Sequence, residues 1–194
     1  MTTRTEGARQ TRRALIDAAA ALLEEGGPAA VTLRAVGERA GVSRGAPYGH
    51  FEGKTHLLAV LAAERWHAVA NELAALASAE MDPGERLRKA LQGIVALGIN
   101  HRPTYELMFV VPDEHSDLVA SAASEAQDIF IGLVSDVIGA GSSQRAAALL
   151  MAGAHGIAGM AASGHLRTEK WGVEAPELID TLVSVATGGE GLQS

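Results

Sequence analysis

Residues 32–54 read TLRAVGERAGVSRGAPYGHFEGK, and the fold turns on how this stretch is divided. Thr32 carries a hydroxyl at the position where an N-cap accepts from the first free backbone N–H groups of a helix, and Leu33, Val36 and Ala40 follow as one short apolar stripe. Gly41 is a helix stop, Val42 an apolar link, and Ser43 a second cap, so that a further helix is predicted over 44–49. Two short helices joined by a glycine-containing turn of three or four residues describe a helix-turn-helix, whose second helix is shaped for the major groove of DNA.

Outward from this stretch the helical period continues in both directions. Leu15, Ile16, Ala19, Leu22 and Leu23 share one face of a predicted helix over 10–25, which Gly26, Gly27 and Pro28 bring to an end. Phe51 belongs with Leu33, Val36 and Val42 in the core. A long helix over 54–79 carries Leu57, Leu58, Leu61, Trp66, Val69, Leu73 and Leu76, and Asp82 with Pro83 marks the next start. Further helices are expected over 83–98, 102–111, 116–139, 143–164 and 175–187, separated by breakers at 100–103, at Pro112 and Asp113, at 139–143 and at 164–175. No internal repeat is visible. The chain therefore reads as all-α, with an N-terminal three-helix helix-turn-helix domain over 1–53 and a second helical domain over 54–194.

Composition agrees. Apolar residues make up 47% of the chain but aromatics only 4%, and abundant alanine suits close-packed helices better than sheets. Without cysteine there is neither disulfide nor thiolate ligand, which suits a reducing cytoplasm. The opening MTTRTEGARQTRR lacks the apolar centre of a signal peptide, and no later apolar run approaches the roughly 20 residues of a membrane span. The expectation is a cytoplasmic protein with no membrane partner. The net charge of −7 is unevenly spread: residues 1–54 hold eight basic and six acidic side chains, +2 net, and the remainder eight and seventeen, −9 net. A basic head on an acidic body fits a protein that meets a polyanion with one end.

The chemistry of the short stretch follows from its residue types. Ser43 and Arg44 at a helix start can face a phosphate, Gly45 and Ala46 let the backbone come close, and Arg44 can alternatively reach a guanine edge while the Ala46 methyl meets a thymine methyl. Tyr48, His50 and Lys54 offer polar tips or charge to the phosphate backbone, as do Thr32 and Arg34 on the preceding helix.

The segment TRRALIDAAAALLEEGGPAAVTLRAVGERAGVSRGAPYGHFEGKTHLLAVL resembles the N-terminal DNA-binding domain of the tetracycline-repressor-like (TetR) family of transcriptional regulators. The resemblance rests on Thr-Leu-Arg, Ala-Gly-Val-Ser and Tyr-x-His-Phe-x-x-Lys in their order. It implies that Thr32, Arg44, Tyr48, His50 and Lys54 stand on positions the family uses near DNA, and that Gly45 and Ala46 fall where side chains meet bases. Pro47 and Gly49 depart from the family pattern, the first by removing an N–H from the helix start. RPTYELMF at 102–109 and AHGIAGM at 154–160 resemble a C-terminal domain type named for a Trp-His-Gly motif, with Ala154 in place of the tryptophan.

The resemblance implies a ligand-responsive repressor that binds a palindromic operator in double-stranded DNA as a homodimer. Small residues over 146–162 and the apolar Leu178, Ile179, Leu182, Val183 and Val185 nominate the last two helices for the dimer interface. Trp66, Tyr105, Met108, Phe109, Met151 and His155 are the candidates for lining an effector pocket, being large side chains amid alanine. No cofactor, metal or catalytic group is expected: the histidines lack i, i+4 pairing, and GAGSSQ at 139–144 lacks the strand and second glycine pair of a phosphate loop. The competing reading is a helical small-molecule-binding or interaction protein that keeps the head but no longer reads DNA.

Overall fold

The computed structural model describes residues 4–110 and 114–188. Regular structure in these residues is entirely helical: α1 (Arg4–Ala30), α2 (Leu33–Arg39), a short 3-10 segment (Pro47–Gly49), α3 (Lys54–Ala77), α4 (Pro83–Asn100), α5 (Arg102–Phe109), α6 (Ser116–Ile138), α7 (Ser143–Ala162), α8 (Thr168–Trp171) and α9 (Ala175–Gly188). The expected break at Pro112 and Asp113 lies outside the described residues. The chain divides into two compact units, one reaching to Trp66 and including Pro103–Ala123, the other comprising His67–Arg102 and the described residues from Ser124 onward.

In the first unit, Leu15, Ile16, Ala19 and Leu23 of α1 are buried with Val31, Leu33, Val36, Phe51, Leu57 and Leu61. Each fully buried leucine or phenylalanine in this cluster contributes on the order of 1.5–3 kcal/mol relative to an exposed one. The stop expected at Gly26, Gly27 and Pro28 is a kink: Gly26 (φ −142°, ψ 15°) and Gly27 (φ 65°, ψ −170°) leave helical geometry, and the helix resumes through Pro28 to Ala30. Proline is tolerated there because it sits in the first turn of the resumed segment, where its missing N–H has no helical partner to lose. Arg39 binds Glu25 through two hydrogen bonds of 2.6 and 2.5 Å, tying α2 to α1. Thr104 on α5 donates to the Glu24 carboxylate.

In the second unit α4, α7 and α9 pack on one another. The buried Leu87, Leu91, Ile94 and Val95 of α4 accompany Ala146, Ala147, Leu150, Ala154 and Ala158 of α7 and Ile179, Val183 and Ala186 of α9. Alanine on α7 and the bare Gly153 permit close approach; a Cβ on Gly153 would lie 2.7 Å from Leu182 Cδ2. Asp82 caps α4, accepting from Gly84 and Glu85 N–H at 2.9 and 3.2 Å, with Pro83 in the first turn. Arg88 joins Glu85 at 2.5 Å and Asp180 on α9 at 2.8 Å. The short α8 occupies part of the segment expected to be loop, its C-cap Gly172 at φ 66°.

By length and composition α6 is able to cross a bilayer, with an 18-residue window of mean hydropathy 1.2. Its residues nevertheless divide by face: Val119, Ala122, Ala126, Phe130, Leu133 and Val134 are buried, whereas Ser121, Ser124, Glu125, Gln127 and Asp128 are exposed. This is the one-sided stripe of a core helix.

Candidate nucleic-acid interface

Thr32 caps α2 as its sequence position indicates, its hydroxyl oxygen accepting from Ala35 N–H at 3.1 Å. Seven residues later the helix closes: Ala40 N–H reaches Val36 O, Gly41 takes φ 67°, and Val42 N–H donates back to Gly37 O at 3.1 Å. This is the glycine-terminated ending in which a left-handed residue lets the following N–H groups satisfy the last carbonyls.

The helix expected over 44–49, with Ser43 as its cap, is not an α-helix. Arg44, Gly45 and Ala46 form a turn and Pro47–Gly49 a single 3-10 turn. The reason is local. In an α-ladder Ser43 O would accept from residue 47, and Pro47 has no N–H; Ser43 O accepts instead from Ala46 N–H, one residue earlier, at 3.0 Å. Gly45 and Gly49 add little helical preference to oppose this. An α-type bond reappears only where Phe51 N–H reaches Pro47 O at 3.0 Å.

The resulting turn over 44–49 presents its polar groups outward. Ser43, Arg44, Gly45, Tyr48 and Lys54 are exposed, Ala46 and His50 half-buried, and Tyr48 retains 66% of its surface. Phe51 is in the core as expected, 2% exposed, with the Arg12 guanidinium 5.6 Å from its ring centroid. Leu33, Arg34, Gly37 and Glu38 of α2 and Val42, Arg44 and Tyr48 of the turn line one open cleft of about 220 Å3. The two arginines on this cleft differ. Arg34 is bound to Glu38 at 2.9 Å one helical turn away, a hydrogen bond first and a charge second that together raise its pKa. Among the described residues neither Arg44 nor Lys54 has an ion-pair partner.

Of the six residues nominated for an effector pocket, four come together. Trp66 on α3 donates Nε1–H to Met108 O at 3.2 Å, its ring meets Phe109 edge-on at 5.5 Å, and the Tyr105 and Phe109 centroids are 5.0 Å apart. Burial raises the Tyr105 hydroxyl from 10 to about 12. Phe109 itself is 41% exposed. Met151 and His155 lie on α7 in the other unit, half-buried and exposed respectively.

Sequence reasoning passed over two features. Gly37 meets the buried ring of Pro47, a contact signalled by a glycine inside a helix of seven residues, where alanine would be preferred. The other joins Glu52, His56 and His115. The imidazoles stack with centroids 4.8 Å apart, His56 Nδ1 accepts from Glu52 N–H at 3.2 Å, and His115 Nε2 is 3.8 Å from the Glu52 carboxylate. No local spacing signals a pairing across 59 positions of sequence.

With this geometry in place the comparisons decide the family. The family model of bacterial regulatory proteins, tetR family, matches residues 15–61, and the tetracyclin repressor-like C-terminal domain matches residues 87–186, more than half of the chain. The chain belongs to the TetR family of bacterial regulatory proteins. The N-terminal match takes in the whole turn over 44–49 and the start of α3, and the C-terminal match runs from α4 into α9. The HTH-type transcriptional regulator SrpR of Pseudomonas putida is 28% identical over 137 residues, 68% of this chain and 61% of that one. The HTH-type transcriptional repressor KstR of Mycolicibacterium smegmatis is 45% identical over 53 residues, 27% of this chain and 26% of that one. The chain thus spans less than two thirds of the length of these curated relatives. A solved structure of a protein of unknown function from Rhodococcus sp. RHA1 superposes with a TM-score of 0.80 at 27% identity, over 95% of this chain and 96% of that one.

Proposed function

We propose that this TetR-family protein is a transcriptional repressor that grips a palindromic operator as a homodimer and is released or recruited by a small-molecule effector. It acts in the cytoplasm and needs no catalytic group. One observation carries the reading: Arg44 and Tyr48 stand exposed on one cleft of a family-matched helix-turn-helix, and Arg44 has no ion-pair partner among the described residues. Residues 1–53 form the reading head and 54–194 the effector-binding and dimerising body. In the head, Arg44 takes a guanine edge or a phosphate, Gly45 and Ala46 lie against the bases, and Thr32, Arg34, Ser43, Tyr48 and His50 hold the phosphate backbone, joined by Lys54 at the first position of the body.

Dimerisation through α7 and α9 is supported by apolar side chains left open on them, Leu149 at 49% and Val185 at 62% exposure. Two heads double the number of base contacts and fix a half-site spacing near one helical turn. The effector site includes Trp66, Tyr105, Met108 and Phe109. An effector seated against the aromatic cluster biases α5, which is bonded to the head through Thr104 and Glu24, and so shifts the population of DNA-competent heads.

The test is footprinting on DNA flanking the protein's own gene, followed by titration of the protected duplex across a salt series. A protected palindrome whose affinity falls steeply with salt is expected, and Arg44→Ala should weaken it roughly 10–100-fold with an unaltered melting temperature, in line with about 1–3 kcal/mol for a bidentate base contact. Binding by Arg44→Ala as tight as the parent's would overturn the reading in favour of a head that no longer reads DNA.

A further inference from the structure

The reading turn is pinned to α2 at two points, and both are on Gly37. Its carbonyl accepts the Val42 N–H at 3.1 Å, just before the turn begins. Its bare Cα faces the Pro47 ring where the turn ends: a Cβ there would lie 2.9 Å from Pro47 Cγ and 3.5 Å from Cδ. Both residues are buried. Ser43, Arg44, Gly45 and Ala46 are the residues strung between these two pins.

We propose that Gly37 and Pro47 are an interlocked positioning pair that sets where Arg44 and Tyr48 stand, and thereby the sequence preference of the head. This rests on the DNA-reading function proposed above. Proline costs the segment its α-ladder, but its rigid ring gives a fixed body that seats on a glycine with no side chain in the way. A flexible side chain at 47 would yield to a methyl group at 37 by changing rotamer. The proline ring is tied to its own backbone, so the displacement passes to the turn. Tyr48 is the next residue, and both it and Arg44 share the cleft with Gly37, so a shift of the ring moves the groups that meet DNA.

The pair is tested with the full chain as parent, Gly37→Ala, Pro47→Ala and the double variant. Each is titrated against duplexes that the parent selects from a random pool and against an unselected duplex, and each is melted. Gly37→Ala is expected to lose on the order of tenfold in affinity for the selected duplex with little change for the unselected one, which reads only backbone charge. In the Pro47→Ala background the same change should cost less than about threefold, since an alanine side chain leaves room for the new methyl. Equal losses in both backgrounds, or parental affinity and preference in Gly37→Ala, would overturn the proposal. Should Gly37→Ala fail to fold, folding of the double variant upholds the interlock and its failure refutes it. If the parent selects no duplex, the DNA-reading function itself fails, and the interlock is then judged by the melts alone: non-additive shifts support it and additive shifts refute it.

Discussion

Arg34 and Arg44 line the same cleft, yet only Arg34 is held by a carboxylate, Glu38 at 2.9 Å. A phosphate approaching Arg34 must compete with Glu38, whereas Arg44 has no ion-pair partner among the described residues. Glu38→Gln removes that competition. Binding of a selected duplex should tighten severalfold, and the slope of log K against log salt should steepen by about 1, as expected for one further phosphate contact. An unchanged slope would leave Arg34 off the backbone. The second consequence at this scale concerns Tyr105, whose burial lifts its hydroxyl from 10 to about 12. The folded state holds this proton more tightly than the unfolded chain does. The stability it contributes is therefore complete below pH 10 and is lost as pH rises from 10 to 12. Melting curves across that window should fall more steeply for the parent than for Tyr105→Phe, and parallel curves would contradict the assignment.

Between elements, glycine decides how closely helices approach. α7 and α9 meet where Gly153 faces Leu182, with 2.7 Å separating a built Cβ from Leu182 Cδ2. The atom in the way is the end of a flexible side chain, so Gly153→Ala should be nearly neutral: the leucine turns aside and alanine favours the helix. Gly153→Val adds branches the leucine cannot avoid and should cost about 1–3 kcal/mol, read as a lower urea midpoint and relieved by Leu182→Ala. The same logic separates two elements whose sequences look alike. α2 and the reading turn each begin with a hydroxyl residue before a short segment, yet Thr32 caps a true α-helix while Ser43 precedes only a turn. Pro47 makes the difference, because the bond it cannot donate is the one that would open the second ladder.

At the level of the whole chain, charge and oligomeric state carry the testable content. The +2 charge of residues 1–54 against the −9 of the remainder favours contact with a polyanion through the N-terminal segment over the rest of the chain. If α7 and α9 form the dimer interface, a charge buried there has no partner. Leu149→Glu together with Val185→Glu should convert a dimer to monomers by sedimentation and reduce operator affinity by orders of magnitude, since each head alone supplies few contacts. Retained dimers would move the interface elsewhere on the chain.

The all-α class, the helix-turn-helix and most element boundaries were legible in residue order, because helical periodicity, caps and breakers act over three or four neighbours: Thr32, Asp82 and Gly41 each did locally what their chemistry requires. Even the absence of an α-helix at 44–49 was latent in Pro47, whose missing N–H removes the bond that would open the ladder. Other features were decided only in three dimensions. Trp66 meets Met108 across 42 positions, His56 stacks on His115, and Gly37 receives the Pro47 ring. Such contacts depend on which faces the packed core turns toward each other, and periodicity shows only that a face is apolar, never which face it will meet.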